Sequence, residues 1–207
     1  MRELLRKPYA YAGLALVVVA VRALVSAGGA IINGHPSYWV LYGSVFALGG
    51  AALVFGVIWR SSKTRVWPAV LGTIGLVVVA VPAWLLTPFE ATDDALMALE
   101  SDGTVVAASS TSALTMTPAG PHTGVGVIFQ PGARVDARAY ARILRPIAEA
   151  GHHVVIVKQP LGVAFLAAGF APAWAEDHPE VGRWVVAGHS LGGLVAAENA
   201  AASNAID

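Results

Sequence analysis

The sequence WVVAGHSLGG at residues 184–193 decides the fold. Its four apolar residues, 184–187, predict a short strand buried on both faces, and the Ala-rich run that follows Ser190 predicts a helix. Gly188 and Gly192 flank this junction in the pattern G-x-S-x-G, with Ser190 at its centre. A serine on a tight strand-to-helix turn needs small neighbours, and the turn lifts its hydroxyl out of the sheet. We therefore predict that Ser190 is a nucleophile.

Upstream of this junction, short apolar runs alternate with amphipathic ones, which is the pattern of an α/β domain. Residues 104–108 and 113–117 predict a hairpin, and 125–129 and 154–157 predict buried strands. A helix is predicted at 136–150, with Asp136 as its N-cap and Gly151 as its stop. Further helices are predicted at 161–174, bent by Pro172, and at 191–202.

At these residues the chain resembles the α/β-hydrolase superfamily, in particular bacterial membrane-anchored hydrolases that look like esterases or dienelactone hydrolases. The resemblance covers about residues 104–207 and rests on VIFQPG at 127–132, VVIV at 154–157, VVAGHSLGG at 185–193, and the helix with Asp136 and Tyr140. It implies a mostly parallel sheet, with Ser190 as nucleophile and the Leu191 N–H as one oxyanion donor. The second donor would be the N–H of Gly132 or Ala133, because the preceding proline has no N–H.

The resemblance also implies a triad acid and histidine after the serine, and this chain departs from that pattern. No histidine follows Ser190. Five of the six histidines are poor candidates for the base, because they adjoin the serine, precede a buried strand at its non-catalytic end or lie in loops: His189, His152, His153, His122 and His178. We therefore expect an incomplete α/β domain, truncated after the helix that follows the serine. We expect no cofactor and no metal.

Three apolar runs precede this domain, at about 9–32, 38–59 and 66–86. Each has about 20 residues, enough to cross the hydrocarbon core as a helix. The chain as a whole is 56% hydrophobic and 13% charged, with a mean hydropathy of +0.64. We predict three transmembrane helices within residues 1–86, a linker at 87–103 and a partial hydrolase domain at 104–207. A cleavable signal peptide is the alternative for the first run.

The charges balance only over the whole chain. Residues 1–86 hold seven Lys and Arg against one acid, and residues 87–207 hold six against twelve. The basic residues flank the first run and fill the loop after the second, which predicts a cytoplasmic amino terminus and an extracytoplasmic hydrolase domain in the cell membrane. Because the basic residues flank apolar runs, they indicate a lipid bilayer as partner and argue against nucleic acid.

Three functions are compatible with these features. The first is a membrane-anchored serine hydrolase that acts on a small-molecule or lipid ester. The second is a catalytically silent fragment or pseudoenzyme with a binding role. The third is a membrane protein whose helices carry the function, with Arg22 as the residue of interest, because a guanidinium inside a span costs about 2.5–3.5 kcal/mol on insertion scales unless it reaches a headgroup or a partner.

Overall fold

A computed structural model describes residues 8–58, 68–203 and 206. The chain divides into two compact units. The first comprises residues 1–32 and 37–87, and the second comprises residues 33–36 and 88–207.

The first unit contains helices α1 (Pro8–Asn33), α2 (Ser37–Ile58) and α3 (Pro68–Leu85). Among the described residues, two stretches are long and apolar enough to cross a membrane, Tyr9–Asn33 and Ser37–Gly56. The three apolar runs do form helices, but the expectation of three spans is supported for two of them. The predicted basic flanks lie outside the described residues.

Helices α1 and α2 approach each other at glycines. A Cβ atom at Gly56 would overlap the backbone of Ala10, and a Cβ atom at Gly13 would overlap the backbone of Leu53. A Cβ atom at Gly49 would lie 3.1 Å from the carbonyl oxygen of Gly13. Small residues allow such close backbone contact between apolar helices. Helix packing therefore accounts for Gly13, Gly49 and Gly56.

The second unit contains a short helix, α4 (Asp93–Met97), and is built on a five-stranded sheet in the order β1-β2-β4-β3-β5. The strands are β1 (Val105–Ser109), β2 (Ala113–Pro118), β3 (Val125–Gln130), β4 (His153–Val157) and β5 (Arg183–Gly188). The strand predictions are confirmed to within a residue or two at each end. Strands β4, β3 and β5 are parallel, whereas β2 is antiparallel to both β1 and β4. The prediction of a mostly parallel sheet is therefore wrong, because the hairpin adds two antiparallel pairings to two parallel ones.

The sheet is covered on both faces. Side chains alternate along β4, so that Val154 and Ile156 join one apolar cluster while Val155 and Val157 join the other. The first cluster includes Leu144 of helix α5 (Ala141–Glu149). The second cluster includes two alanines of helix α6 (Phe170–Asp177). Burial on both faces explains why the three parallel strands are almost continuously apolar.

Lys158 connects the hairpin formed by β1 and β2 to the rest of the sheet through hydrogen bonds. Its side chain is buried directly after β4, and Nζ donates to Ser109 Oγ at 2.8 Å and to the Ser110 carbonyl at 2.7 Å. Burial lowers the pKa of Lys158 below the ordinary lysine value, and the nearby Arg138 lowers it further. The two hydrogen bonds satisfy a buried ammonium that would otherwise be costly.

The helix predictions succeed at two places and fail at one. Asp136 is the N-cap, accepting the Arg138 N–H at 3.0 Å, and α5 follows after one 3₁₀ turn. Helix α7 (Leu191–Ala202) has the predicted bounds. The predicted helix at 161–174 is wrong: two 3₁₀ turns replace its first half, and α6 begins at Phe170. Leu161 and Gly162 have φ angles of +51° and +64°, which no right-handed helix accommodates.

Candidate active site

Ser190 lies at the junction of β5 and α7, with φ +52° and ψ −121°. This conformation is unfavourable for a residue with a side chain and costs about 1–3 kcal/mol. Ser190 is exposed, and although it occupies the N-cap position its side chain makes no capping hydrogen bond. The hydroxyl is therefore available for chemistry at the carboxyl edge of the parallel strands.

Glycines permit this turn because backbones cross beside it. A Cβ atom at Gly188 would overlap the backbone of Gly192. A Cβ atom at Gly192 would overlap the carbonyl oxygens of Gln130 and Pro131, which end β3 and begin the next loop. The G-x-S-x-G spacing thus brings the serine turn and the loop after β3 into direct contact.

The loop after β3 carries the two residues predicted as alternative oxyanion donors. The Gly132 N–H donates to the Tyr140 hydroxyl at 3.0 Å. The Val135 N–H closes a turn onto the Gly132 carbonyl at 3.2 Å, and the Arg134 N–H donates to the Gly162 carbonyl at 2.8 Å. Within the described part of the chain, the N–H of Ala133 makes no hydrogen bond, and neither does that of Leu191. The geometry therefore favours Ala133 over Gly132 as the second donor.

Tyr140 joins this loop to the serine turn. Its ring packs on Phe129, with centroids 4.7 Å apart, and its hydroxyl lies 2.9 Å from Nδ1 of His189. Burial raises the pKa of Tyr140, so the hydroxyl stays protonated and can donate to Nδ1 while its oxygen accepts from Gly132. Sequence reasoning gave this tyrosine no role in the site, because its partner His189 lies 49 residues away.

Gln159 holds the same loop from the other side. Its side chain is buried after β4, and Nε2 donates to the Pro131 carbonyl at 2.9 Å and to Gln130 Oε1 at 3.0 Å. The backbone of His189 also donates to the Gln130 carbonyl, at 3.1 Å. The loop after β3 is thus held by hydrogen bonds to the Tyr140 and Gln159 side chains.

No described histidine hydrogen-bonds to the Ser190 side chain. His122 and His178 precede β3 and β5, and His153 begins β4, so these three lie at the amino edge of the parallel strands, opposite the serine. His152 hydrogen-bonds to Thr123 at 2.7 Å near the same edge. His189 is hydrogen-bonded to the Tyr140 hydroxyl.

No described residue hydrogen-bonds to the Ser190 hydroxyl. The described residues also contain no group of three or more His, Cys, Asp or Glu able to hold a metal ion.

Residues 126–207 match the Alpha/beta hydrolase family. This stretch is alpha/beta hydrolase-like. The match begins in β3 and includes the loop with Gly132 and Ala133 and the turn with Ser190. No curated protein and no solved structure matches the chain. The resemblance inferred from the sequence is thus confirmed over residues 126–207, and the mixed sheet is a hydrolase-type fold. The second unit is hereafter called the hydrolase-like domain.

Proposed function

We propose that this protein is a membrane-anchored serine hydrolase that cleaves an ester-like acyl substrate with Ser190 as nucleophile. One observation carries the proposal: Ser190 has a left-handed backbone at a strand-to-helix junction, and its hydroxyl is exposed and makes no capping bond. Strain of this kind persists where the surrounding structure enforces it, and it is concentrated at functional sites. The family match to the same residues supports the proposal.

In the proposed reaction, Ser190 Oγ attacks the acyl carbon, and the ester C–O bond then breaks to leave an acyl-serine. The N–H groups of Leu191 and Ala133 stabilise the charge that develops on the acyl oxygen. The serine proton ends on the departing alcohol, and a water molecule hydrolyses the acyl-serine. The attack by Ser190 requires a base that accepts the serine proton and passes it to the departing alcohol.

We further propose that the helices of the first unit anchor the protein in the cell membrane, with three spans and the hydrolase-like domain on the extracytoplasmic side. Two apolar helices long enough to span support the anchor. The distribution of Lys and Arg along the sequence supports the orientation. The ester substrate then reaches the domain from the extracytoplasmic solution or from the outer leaflet.

The test is labelling with a fluorophosphonate probe in membranes that contain the protein expressed from its natural gene. We expect labelling of the parent, no labelling of Ser190→Ala, and unchanged labelling of Ser112→Ala, a control that removes another hydroxyl from the same domain. The labelled parent should also hydrolyse p-nitrophenyl esters.

Labelling that survives in Ser190→Ala would show that Ser190 is not the nucleophile. A folded parent that resists the probe would favour the alternative, a catalytically silent protein with a binding role. Circular dichroism of each variant shows whether loss of labelling reflects unfolding.

A further inference from the structure

Arg22 is a cation in a region of the sequence that contains no acid. No Asp or Glu occurs between Glu3 and Glu90, so none of the three apolar helices offers a carboxylate. Within the described residues, the guanidinium of Arg22 makes no hydrogen bond and no ion pair. A guanidinium in a bilayer is costly unless it is paired, and these helices contain no carboxylate that could pair with Arg22.

The structure places Arg22 beside a cavity within the first unit. The cavity has a volume of about 480 Å³ and is lined by Val19, Arg22 and Ser26 of α1 and by Ala83, Trp84 and Thr87 at the end of α3. The three α1 residues are spaced by three and four positions, so they share one face of the helix. Arg22 therefore lies level with the last turn of α3, close to one boundary of the predicted span, although it is near the middle of α1 in sequence.

The chemistry of the lining suits a phosphate group. A guanidinium binds phosphate oxygens through two parallel N–H donors, and the hydroxyl of Ser26 can add a third. Trp84 has the amphipathic ring that favours the interface between lipid and water. The surroundings are apolar, since Val18, Val21, Val25 and Val81 are each about half exposed or more. Acyl chains would cover these valines, whereas a free phosphate ion would leave them bare.

We propose that this cavity binds the phosphate headgroup of an anionic glycerophospholipid, with Arg22 as the cation that pairs with it. The proposal rests on the membrane anchor of the proposed function. It makes no use of Ser190, so the two can fail separately. The bound lipid would supply the counter-ion that the three apolar helices lack.

The experiment uses the full chain in detergent micelles, and native mass spectrometry counts the bound lipids. We expect the parent to retain one dioleoylphosphatidylglycerol and to bind dioleoylglycerol, which has no phosphate, far more weakly. Arg22→Gln should weaken phosphatidylglycerol binding by about ten- to a hundredfold, the usual range for losing a charge-assisted pair. Arg22→Lys keeps the positive charge but lacks the planar guanidinium that donates two parallel hydrogen bonds. Its affinity for phosphatidylglycerol should therefore lie between those of the parent and Arg22→Gln.

Arg60→Gln is the matched control, because it removes one positive charge from the second loop of the sequence. An equal loss of phosphatidylglycerol affinity in Arg60→Gln would show that the lipid is attracted by positive charge in general. Unchanged phosphatidylglycerol affinity in Arg22→Gln would show that the cavity is not the binding site. Either result overturns the proposal. Displacement of the lipid by millimolar inorganic phosphate would identify a plain anion site and would overturn the assignment to a lipid. Release of the protein from membranes by alkaline carbonate would instead overturn the membrane anchor.

Discussion

Gly192 and Gly193 are neighbours in the chain, yet an added methyl group meets different surroundings at each. At Gly192 it overlaps two carbonyl oxygens of the loop after β3, which are backbone atoms that cannot rotate away. At Gly193 the nearest atom is the Gly188 carbonyl oxygen at 3.4 Å, an ordinary contact. We expect Gly192→Ala to destabilise the hydrolase-like domain by about 3 kcal/mol and to abolish labelling of Ser190 by separating it from Ala133.

Gly193→Ala serves as the control for that prediction. Alanine favours a helix over glycine by about 1 kcal/mol, so this variant should be as stable as the parent or slightly more stable. Urea denaturation measures both effects. Equal stability of the two variants would show that the serine turn and the loop after β3 are not in close contact.

At the scale of single elements, the amino edge of β4 carries a cluster of histidines. Burial lowers the pKa of His153 below the ordinary histidine value of 6.5, and nearby His122 and His178 lower it further, while Glu180 opposes the shift. The rings of His122 and His153 lie 5.2 Å apart. As the pH falls through 6.5, His153 is therefore protonated in the unfolded chain before it is protonated in the folded protein. This uptake of a proton stabilises the unfolded state relative to the folded one.

We predict that the free energy of unfolding falls as the pH is lowered from about 7.5 through 6.5 and on to the depressed pKa of His153. His153→Gln should reduce this pH dependence, because it removes the shifted group. His152→Gln, a substitution at the adjacent position, is the control and should retain most of the pH dependence of the free energy of unfolding. Chemical denaturation at several pH values gives the measurement, and a steeper dependence in His153→Gln would contradict the prediction.

The strands and α7 were predictable because local signals agree there. The apolar runs of β3, β4 and β5 stop at Gln130, Lys158 and Gly188, and Asp136 and Gly151 bound the helix after β3 by capping chemistry. The region after β4 was not predictable, since the left-handed Leu161 depends on contacts made by its neighbours, including the bond from Arg134 to Gly162. The contacts of Tyr140 were not predictable either, because its hydrogen bonds join residues that are distant in sequence.

At the scale of the whole molecule, the orientation of the membrane region can be tested directly. The basic residues near the amino terminus and in the second loop predict that both remain in the cytoplasm. Alkaline phosphatase fused after Thr87 should therefore be active, because it folds only outside the cytoplasm, and the same reporter fused at Ser62 should be inactive. The reversed pattern would place the hydrolase-like domain in the cytoplasm.

The strand order has a consequence for how the protein is made. Strand β3 lies between β4 and β5, although both follow it in the chain. A ribosome adds about 5–20 residues per second, so β5 emerges several seconds after β3. The three apolar helices are synthesised before any strand of the sheet. We therefore expect the helices to enter the translocation machinery while the domain is still an open chain, and the sheet to close only after the segment containing Ser190 has emerged.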